Sequence, residues 1–386
     1  METFLGYERS DSSVGVRNHV AVLPSVACAN GVAAAIVRQI PEAVLLQHSI
    51  GCGRGGLDNE VHTRTLENLC RHPNLAGVLV VGLGCEVLKS EQLEQAAAQA
   101  SKHVQRVVIQ EEGGSRRTTA RGVELVRELV ARAKEIKPGA VALDRLIVGL
   151  ECGGSDAFSG VTANPAVGRA CDHLVDQGAT VILTETTEMI GTAHILSRRA
   201  ANVEVGAQIE EIVGLQEQKC VDVLGPMAEL VISPGNMDGG MSNIREKALG
   251  CIVKAGTRPI QEVIGYAEKP TRRGVVIMNG PGYDTDSLTG MAAAGAQVMI
   301  FTTGRGNPIG FPMVPVMKVI STTQAFQRLE DDMDVNAGVV LEGQSLEQVG
   351  DQISDVLLRV ANGEPTKAEI NQQDGILCVY TQGTSL

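Results

Sequence analysis

The sequence predicts an α/β protein with two lobes, each a mainly parallel β-sheet flanked by helices. Short runs of Val, Ile and Leu alternate with longer segments that carry a helical charge pattern, and this alternation is typical of parallel sheets made from βαβ units. The 386 residues exceed what one ordinary core accommodates, which favours two lobes. Pro138 and Gly139 end a long predicted helix, so we divide the chain into residues 1–140 and 141–386.

The first lobe is predicted to contain four strands, each followed by a helix. The strands fall on the apolar runs at 19–26, 43–49, 77–83 and 106–110. The helices fall at 30–39, 62–72, 88–103 and 117–136, where apolar residues recur at helical spacing. Residues 135–144 are interpreted as the connector between the lobes.

The second lobe repeats the alternation with five strands. They are predicted at 145–150, 179–184, 274–279, 297–303 and 315–321. Helices are predicted at 163–177, 203–218, 241–255, 285–295 and 345–362. Residues 219–240 mix apolar pairs with Gly and Pro, so we expect them to be mostly loop.

The composition excludes several classes of function. A net charge of −12 and the absence of Trp oppose a nucleic-acid-binding protein, which needs clustered cations and stacking aromatics. No apolar stretch approaches the length of a membrane span, and no signal peptide is visible at the amino terminus. Nine scattered cysteines favour reduced thiols in the cytoplasm over a disulfide framework.

Candidate site residues cluster directly after the predicted strands. Ligands of parallel sheets bind outside the carboxyl ends of the strands, where loops and helix N-termini converge. Six successive strand ends carry glycine, polar residues or both. The segments are HSIGCGRGG, GLGCE, ECGGSD, TETTE, NGPGYD and TTGRGNP. This recurrence is the main indication of function that the residues themselves provide.

Three of the cysteines are candidate metal ligands. Cys52, Cys85 and Cys152 each stand beside a glycine at a strand end, where backbone approaches a ligand closely. A free cysteine is more often an inert core residue, and this interpretation is kept for Cys70, Cys171, Cys220, Cys251 and Cys378. No CxxC spacing occurs, so zinc-ribbon and ferredoxin patterns are excluded.

The polar candidates each have a structural and a functional interpretation. His48 is either a satisfied loop histidine or a fourth metal ligand. Glu185 and Glu188 either cap a short helix or act as catalytic bases. Arg116 and Arg305 lie either in surface turns or on a substrate carboxylate. Nucleotide-binding motifs are absent.

The motifs together resemble the altronate and galactarate dehydratase family of sugar-acid lyases. The resemblance covers nearly the whole chain, and its most specific segments are ECGGSDAFSGVTANP and TTGRG. It implies elimination of water from a polyhydroxylated acid to a 2-keto-3-deoxy acid, with dependence on ferrous iron. A close branch, the 3-sulfolactate sulfo-lyases, releases sulfite and leaves pyruvate. HSIGCG and VTANP are nearer to the sugar-acid members, which favours dehydration.

The resemblance also implies a partner. Single-chain members carry a small β-rich domain ahead of the segment at which this sequence starts, so we expect the large subunit of a split enzyme, with a separate small β-rich subunit and an oligomeric assembly. In the segment LVISPGN, the residues before SPGN are more apolar than those of other members, although Asn236 and Lys247 match the family pattern.

Chemistry and resemblance combine into one hypothesis for the site. Removing a proton beside a carboxylate creates a doubly charged enediolate, which a metal neutralises. The metal ligands are expected to be Cys52, Cys85, Cys152 and His48, holding Fe²⁺ or an iron–sulfur centre. The catalytic residues are expected to be Glu185 or Glu188 as base or acid, with Ser155 and Asp156 orienting the metal ligands. The substrate-binding residues are expected to be Arg54, Arg116, Asn164, Asn236, Lys247 and Arg305.

Two alternatives remain open at this point. In the first, Mg²⁺ or Ca²⁺ is bound by oxygens alone among Glu151, Asp156, Glu185 and Glu188, and the thiols are structural. In the second, the chain is a non-catalytic scaffold for the small subunit.

Overall fold

The chain forms an α/β structure with two parallel sheets and a small antiparallel one. The computed structural model describes residues 2–100 and 102–384. In this part of the chain the strands are β1 (Thr3–Glu8), β2 (Val14–Gly15), β3 (His19–Pro24), β4 (Ala43–Leu45), β5 (Leu75–Gly82), β6 (His103–Val108), β7 (Gly139–Ala142), β8 (Ile147–Cys152), β9 (Thr180–Leu183), β10 (Ile260–Ile264), β11 (Gly274–Met278), β12 (Val298–Thr303), β13 (Val316–Ile320) and β14 (Val335–Asn336).

Helices connect and cover these strands. The α-helices in the described ranges are α1 (Asn30–Val37), α2 (Gly56–Cys70), α3 (Ser90–Gln99), α4 (Ser115–Glu135), α5 (Ala163–Asp176), α6 (Ala193–Ser197), α7 (Val203–Leu224), α8 (Pro234–Asp238), α9 (Ile244–Cys251), α10 (Asp284–Ala293), α11 (Thr323–Arg328), α12 (Leu346–Ala361) and α13 (Lys367–Ile370). The 3₁₀ helices are Ala27–Ala29, Leu143–Arg145, Thr186–Met189, Gly225–Leu230, Ile252–Ala255 and Ala337–Glu342. The fold class predicted from the sequence is confirmed.

The two parallel sheets have different strand orders. The first has the order β4-β3-β5-β6, with every pair parallel. The second has the order β10-β11-β9-β8-β12-β13-β14, again with parallel pairs. Its central strands are buried except at Ile147, the first residue of β8, as expected for a sheet covered by helices on both faces.

The two halves of the chain are joined by a shared core and by a small sheet. One hydrophobic cluster contains Leu66 and Val78 from the first half together with Met278 and Phe301 from the second. The antiparallel sheet β2-β1-β7 pairs the amino-terminal strand with residues 139–142, which straddle the proposed boundary. The division into residues 1–140 and 141–386 therefore stays a prediction.

Several elements differ from the sequence-based expectation. Residues 219–240 are not mostly loop, because α7 continues to Leu224 and is followed by a 3₁₀ helix and by α8. Buried residues become sparse after Val213 in α7, so the apolar pattern of the sequence did not predict the last turns of the helix. β1, β7 and β10 were also missed, since short and partly exposed strands have weak alternation.

Candidate active site

The candidate active site lies at the carboxyl end of the seven-stranded sheet, where the central strands β8 and β9 finish. β8 ends with Glu151 and Cys152, whose side chains project to opposite faces of the strand. Glu185 follows β9 and has a left-handed backbone with φ 68°. All three residues are buried. The Cys152 backbone N–H donates a hydrogen bond of 3.1 Å to Glu185 Oε2, so the two strand ends are linked directly.

A thiol group forms on one face of this edge. Cys152 Sγ lies 3.3 Å from Cys251 Sγ and donates to Glu188 Oε2 at 2.6 Å. Ligand atoms of these three residues lie within 4.8 Å of one another. The contact with Cys251, together with burial, raises the pKa of the Cys152 thiol well above its usual range. Cys152 therefore holds its proton more strongly than an ordinary cysteine.

Two lysines, the buried Lys254 and the partly buried Lys247, neutralise the acids of this site. Lys254 donates to Glu185 Oε2 at 2.9 Å and lies 3.8 Å from Glu188 Oε2, while Lys247 forms an ion pair with Glu188 Oε1. Burial alone would raise the pKa of Glu188, but Lys247 and Lys254 outweigh it and lower that pKa to about 2. Burial would lower the pKa of Lys254, but Cys152, Glu185 and Glu188 raise it well above its usual value. Glu188 and both lysines are charged at neutral pH.

A carboxylate group occupies the other face. Glu151, Glu185 and Asp284 bring ligand oxygens within 4.8 Å of one another. Burial, followed by the charges of Glu185 and Asp284, raises the pKa of Glu151 well above its usual range. Burial and Glu188 raise the pKa of Glu185 to about 7 and that of Asp284 to about 6. Negative charge on any one of these three carboxyls therefore opposes ionisation of the others.

The carboxylate group fits a divalent cation. Ser287 Oγ donates to Glu151 Oε2, and Asn307 donates to Asp284 Oδ2 at 2.9 Å. Glu151 Oε1 and Glu185 Oε1 are buried without a hydrogen-bond partner among the described residues. Buried carboxylate oxygens are normally paired or bound to a metal. The thiol group fits a cation less well, because two ammoniums already neutralise its carboxylate.

Ser155 and Asp156 hold the loop that follows β8. Asp156 Oδ1 accepts from the backbone N–H and the hydroxyl of Ser159, both at 2.8 Å, and its Oδ2 accepts from Ser321 at 3.0 Å. Asp156 belongs to neither ligand group of the described chain. Ser155 Oγ is buried without a protein partner in the described ranges, so it is available to a bound molecule.

The predicted substrate-binding residues separate into two regions. Lys247 lies in the site, and Arg305 borders it, because the Arg305 N–H donates to Gly154 O at 2.8 Å. Asn164 and Asn236 donate to backbone carbonyls, of Gly250 and Ser155 respectively, and these bonds fix the loops around β8. Arg54 and Arg116 lie in the first lobe: Arg54 donates to Gly383 O, and Arg116 lines a separate cavity of about 440 Å³ beside Cys28.

The predicted metal-ligand set is not assembled. No group of three or more possible ligands in the described residues contains Cys52, Cys85 or His48. Cys52 and Cys85 are exposed, whereas Cys152 is buried. Both ring nitrogens of His48 are engaged, one with Pro24 O at 2.7 Å and the other with the Ile50 N–H at 3.2 Å. These contacts are those of a histidine that is satisfied by its own loop, and Cys152 has Cys251 as its thiol neighbour.

Four residues of the site were missed by sequence reasoning: Cys251, Lys254, Asp284 and Ser287. Cys251 was interpreted as an inert core residue. The signal was present in EKALGCIVK, since Lys247, Cys251 and Lys254 follow i, i+4, i+7 spacing and so share one helical face. Asp284 closes NGPGYD, a strand end that was noted without selecting its carboxylate. Polar and thiol side chains that share one face of a helix are therefore a sequence signal for site residues.

Comparisons with known proteins identify the class of this chain. A family model described as D-galactarate/altronate dehydratase, C-terminal, matches residues 143–384. A second, described as D-galactarate dehydratase/altronate hydrolase, second domain, matches residues 6–134. The protein is therefore an enzyme of the carbon–oxygen lyase class.

Individual relatives place the chain within that class. It is 36% identical to an altronate dehydratase of Bacillus subtilis, over 100% of this chain and 78% of the relative. It is 37% identical to a galactarate dehydratase (L-threo-forming) of Escherichia coli, over 94% and 73%. It is 35% identical to a (2R)-sulfolactate sulfo-lyase subunit beta of Chromohalobacter salexigens, over 95% and 94%. The chain belongs to the D-galactarate/altronate dehydratase family, as its motifs indicated.

Within the described ranges, none of the helices combines the length and the apolar character that a membrane crossing requires.

Proposed function

We propose that this enzyme removes water from a sugar acid of the altronate or galactarate type and forms a 2-keto-3-deoxy acid at the carboxyl ends of β8 and β9. One observation carries the proposal: two groups of opposite charge meet at one edge of the sheet, namely the buried Glu151 and Glu185 with the partly buried Asp284, and the buried Lys254 with the partly buried Lys247. Elimination beside a carboxylate needs both, because negative charge develops on the substrate while a proton is removed.

We propose that a divalent cation is held by Glu151, Glu185 and Asp284. Bound there, it would neutralise the charge that develops on the substrate carboxylate. The two unpartnered carboxylate oxygens and the mutual repulsion of the three acids support this position. The ligands are oxygens, which suit Mg²⁺ and Ca²⁺, and they also accept the Fe²⁺ that the family resemblance implies. This arrangement is close to the oxygen-only alternative, with Asp284 in place of Asp156 and Glu188.

We assign the proton transfer to Glu188 and the binding of the substrate carboxylate to Lys247. Glu188 is ionised at neutral pH and is outside the carboxylate group. The Lys247 side chain is 12% exposed, which makes it the more accessible of the two lysines. A substrate carboxylate that binds Lys247 competes with Glu188 for the ammonium, and this competition raises the basicity of Glu188 when the substrate is in place. Lys254 is buried beneath the site and holds Glu185 and Glu188 in position.

The test is to compare two isosteric variants of the assembled enzyme. Glu188→Gln removes the base, so we expect turnover to fall by about 10² to 10⁴ while bound metal, measured by elemental analysis, is unchanged. Glu185→Gln removes a cation ligand, so we expect loss of both metal and turnover. Glu211→Gln, on the exposed side of α7, is the control and keeps both. Full activity in Glu188→Gln, or full metal content in Glu185→Gln, would contradict the assignment.

A second candidate activity is release of sulfite from sulfolactate. The observation that favours it is similarity: the chain is 35% identical to the sulfo-lyase subunit, close to the 36% and 37% identity to the two dehydratases. Sulfite and hydroxide leave beside the same enediolate, so the carboxylate and lysine groups serve both reactions. Incubation with altronate, galactarate and sulfolactate distinguishes them, since only the last yields sulfite and pyruvate.

We further propose that the chain works with a small β-rich subunit in a cytoplasmic, oligomeric enzyme. A relative that is named a subunit beta supports the partner, and free cysteines suit a reducing compartment. Assays with and without the co-expressed partner test this point. Turnover by neither preparation, together with tight binding of the partner, would instead support the scaffold alternative.

A further inference from the structure

A cavity of about 330 Å³ lies where the two lobes meet, at the amino edge of the seven-stranded sheet. Ser13 and Pro73 line it from the first lobe, and Ile147 and Thr180, the first residues of β8 and β9, line it from the second. The candidate active site lies at the carboxyl ends of the same strands, roughly 17–20 Å away, which is the length of a six-residue strand. The cavity is therefore separate from the site of the proposed dehydration.

Positive side chains dominate the polar lining of this cavity. The cations are Arg145, Lys269, Arg272 and Arg273, and Asp144 is the acidic residue beside them. Asp144 Oδ2 accepts from Arg273 at 2.7 Å, so the charge of this carboxylate is already balanced. Lys269 and Arg272 form no ion pair with any residue that the structure describes. In a chain with a net charge of −12, this local excess of cations indicates a site for an anion.

A buried lysine adds a further uncompensated charge beside the cavity. Lys102 is 6% exposed, and its Nζ has no hydrogen-bond partner among the described residues. Burial, above all, lowers the pKa of Lys102 to about 7; the positive charges of Arg9 and Lys269 contribute, and the charge of Asp11 opposes them. The interaction with Lys269 places Lys102 next to the lining. A lysine is almost never this deeply buried without a partner, so Lys102 needs an acceptor that the described chain does not provide.

The loop that carries Lys269 and Arg272 is held in place by one carboxylate. Glu262 Oε2 accepts from the backbone N–H groups of Thr271 at 2.9 Å and Arg272 at 3.1 Å, and its Oε1 accepts from the Thr271 hydroxyl at 2.6 Å. These bonds fix the backbone of the loop and leave the Arg272 guanidinium without an ion pair in the described chain. The cations are thus presented by a pre-organised loop, which lowers the entropic cost of binding a ligand.

The size and the chemistry of the cavity favour a small phosphate-bearing molecule. Its volume lies at the lower end of the range for small-ligand sites, about 300–1,000 Å³. Segments of both lobes surround it, so the cations line one concave space instead of a flat surface. A phosphate group carries about −1.5 to −2 charges at pH 7, which matches the two unpaired cations Lys269 and Arg272. Guanidinium groups also bind phosphate oxygens through two parallel N–H bonds.

We propose that this cavity binds a small molecule through a phosphate group, with Lys269 and Arg272 on the phosphate oxygens and with Lys102 compensated by the same negative charge. The site is distinct from the substrate site and does not depend on the proposed function. Because residues of both lobes line the cavity, the ligand binds only when the lobes are assembled, and it stabilises that assembly by mass action. Free phosphate and a phosphate ester share this chemistry, so both serve as probes.

The experiment is isothermal titration calorimetry of the full chain with inorganic phosphate and with glucose 6-phosphate at constant ionic strength. Glucose, which lacks the phosphate, is the control ligand, and the tighter of the two phosphates identifies the source. We expect Arg272→Gln and Lys269→Gln each to weaken binding about tenfold or more, as for the loss of one hydrogen bond to a charged group. Arg38→Gln, an exposed arginine outside the lining, is the matched control and keeps the wild-type affinity.

Lys102→Met provides a second measurement that does not rely on surface charge. Removing a buried ammonium that has no partner should raise the melting temperature of the free protein, and it should reduce the further rise that phosphate produces. A melting temperature that phosphate raises as much in this variant as in the wild type would contradict the role of Lys102.

The two exposed cations decide the proposal as a whole. No binding of either phosphate to the wild-type chain, or wild-type affinity in both Arg272→Gln and Lys269→Gln, would overturn it. Binding that is lost in Lys247→Gln instead would place the phosphate in the candidate active site and would overturn it as well. None of these measurements involves turnover, so their result is independent of the proposed dehydration.

Discussion

Glu185 and Lys254 are the most constrained residues of the active site. Glu185 has a left-handed φ of 68°, which costs a non-glycine residue about 1–3 kcal/mol. Its carboxylate accepts from Lys254 and from the Cys152 N–H, and both partners are buried. These contacts hold the strained backbone, so the lysine is a structural requirement of the site as well as a charge within it.

We expect Lys254→Met to lower the free energy of unfolding by about 3–5 kcal/mol, because removing one partner leaves a buried charge uncompensated. Urea unfolding at pH 7 measures this loss. In the double variant Lys254→Met/Glu185→Gln the carboxylate charge is removed as well, so we expect a loss smaller than the sum of the two single losses. Strictly additive losses would mean that the ion pair does not couple these residues.

His72 makes the stability of the protein dependent on pH. Its ring joins Ala296 O at 3.0 Å and the Asn74 N–H at 3.1 Å, and burial lowers its pKa from 6.5 to about 3. Between these values the unfolded chain binds more protons than the folded one. The contribution of His72 is therefore present above pH 6.5 and is lost as the pH falls towards 3.

We expect His72→Gln to flatten this dependence. The slope of unfolding free energy between pH 6 and pH 4 should decrease by about 1.4 kcal/mol per pH unit, the effect of one proton. His19 and His48, whose pKa values burial lowers to about 4, contribute a slope of the same sign. His194→Gln, at an exposed position, is the control. An unchanged slope in His72→Gln would show that His72 is protonated in the folded state.

At the scale of elements, α9 and the 3₁₀ helix after it place three site residues at once. Asn243 caps α9 by accepting from the Glu246 N–H at 2.9 Å, and the helix then presents Lys247 and Cys251 to the strand ends. The 3₁₀ helix Ile252–Ala255 carries Lys254 and packs on α5, where Gly168 leaves room for its backbone. The position of Lys254 therefore depends on a close approach of two helices.

We expect Gly168→Ala to displace the 3₁₀ helix that carries Lys254, and so to disturb the site without changing any residue in it. The added methyl group meets Val253 O, so Lys254 must move; we expect a loss of about 1–3 kcal/mol in stability together with reduced turnover. Gly214→Ala, in the interior of α7 with open space around it, is the matched control and should be neutral or stabilising by up to about 1 kcal/mol. Equal behaviour of the two variants would contradict the packing argument.

Sequence patterns predicted the long elements well and the short ones poorly. The strand at 77–83 and the helix at 117–136 appear as β5 and α4 with small shifts, because their apolar periodicity extends over many residues. β4 covers Ala43–Leu45 instead of 43–49, since the chain leaves the sheet where the next four residues begin the His48 loop. Where a strand stops depends on its neighbours, which a local pattern does not contain.

At the scale of the whole molecule, the two lobes depend on one another. The core that contains Leu66 and Val78 also contains Met278 and Phe301. Asn74 bridges the lobes with bonds of 3.0 Å to Gln297 O and 2.9 Å to Met313 O. One face of the first sheet is therefore covered by residues of the second half of the chain.

We expect residues 1–140 expressed alone to bind the dye ANS and to show poor dispersion of amide resonances, because this apolar face becomes exposed. Co-expression with residues 141–386 should restore the dispersion and suppress dye binding. A cooperatively unfolding fragment with native-like resonances would contradict this expectation and show that the first lobe folds independently.

The sequence by itself determined the α/β class, the family and the edge of the sheet where the candidate site lies, since periodicity and glycine-rich strand ends are local properties. It also selected Cys152, Glu185, Glu188 and Lys247, which the structure brings together. Only the tertiary structure paired Cys152 with Cys251 instead of Cys52, and only it added Asp284 and Lys254. Which side chains meet depends on strand order and helix packing, and both arise from contacts between residues far apart in the chain.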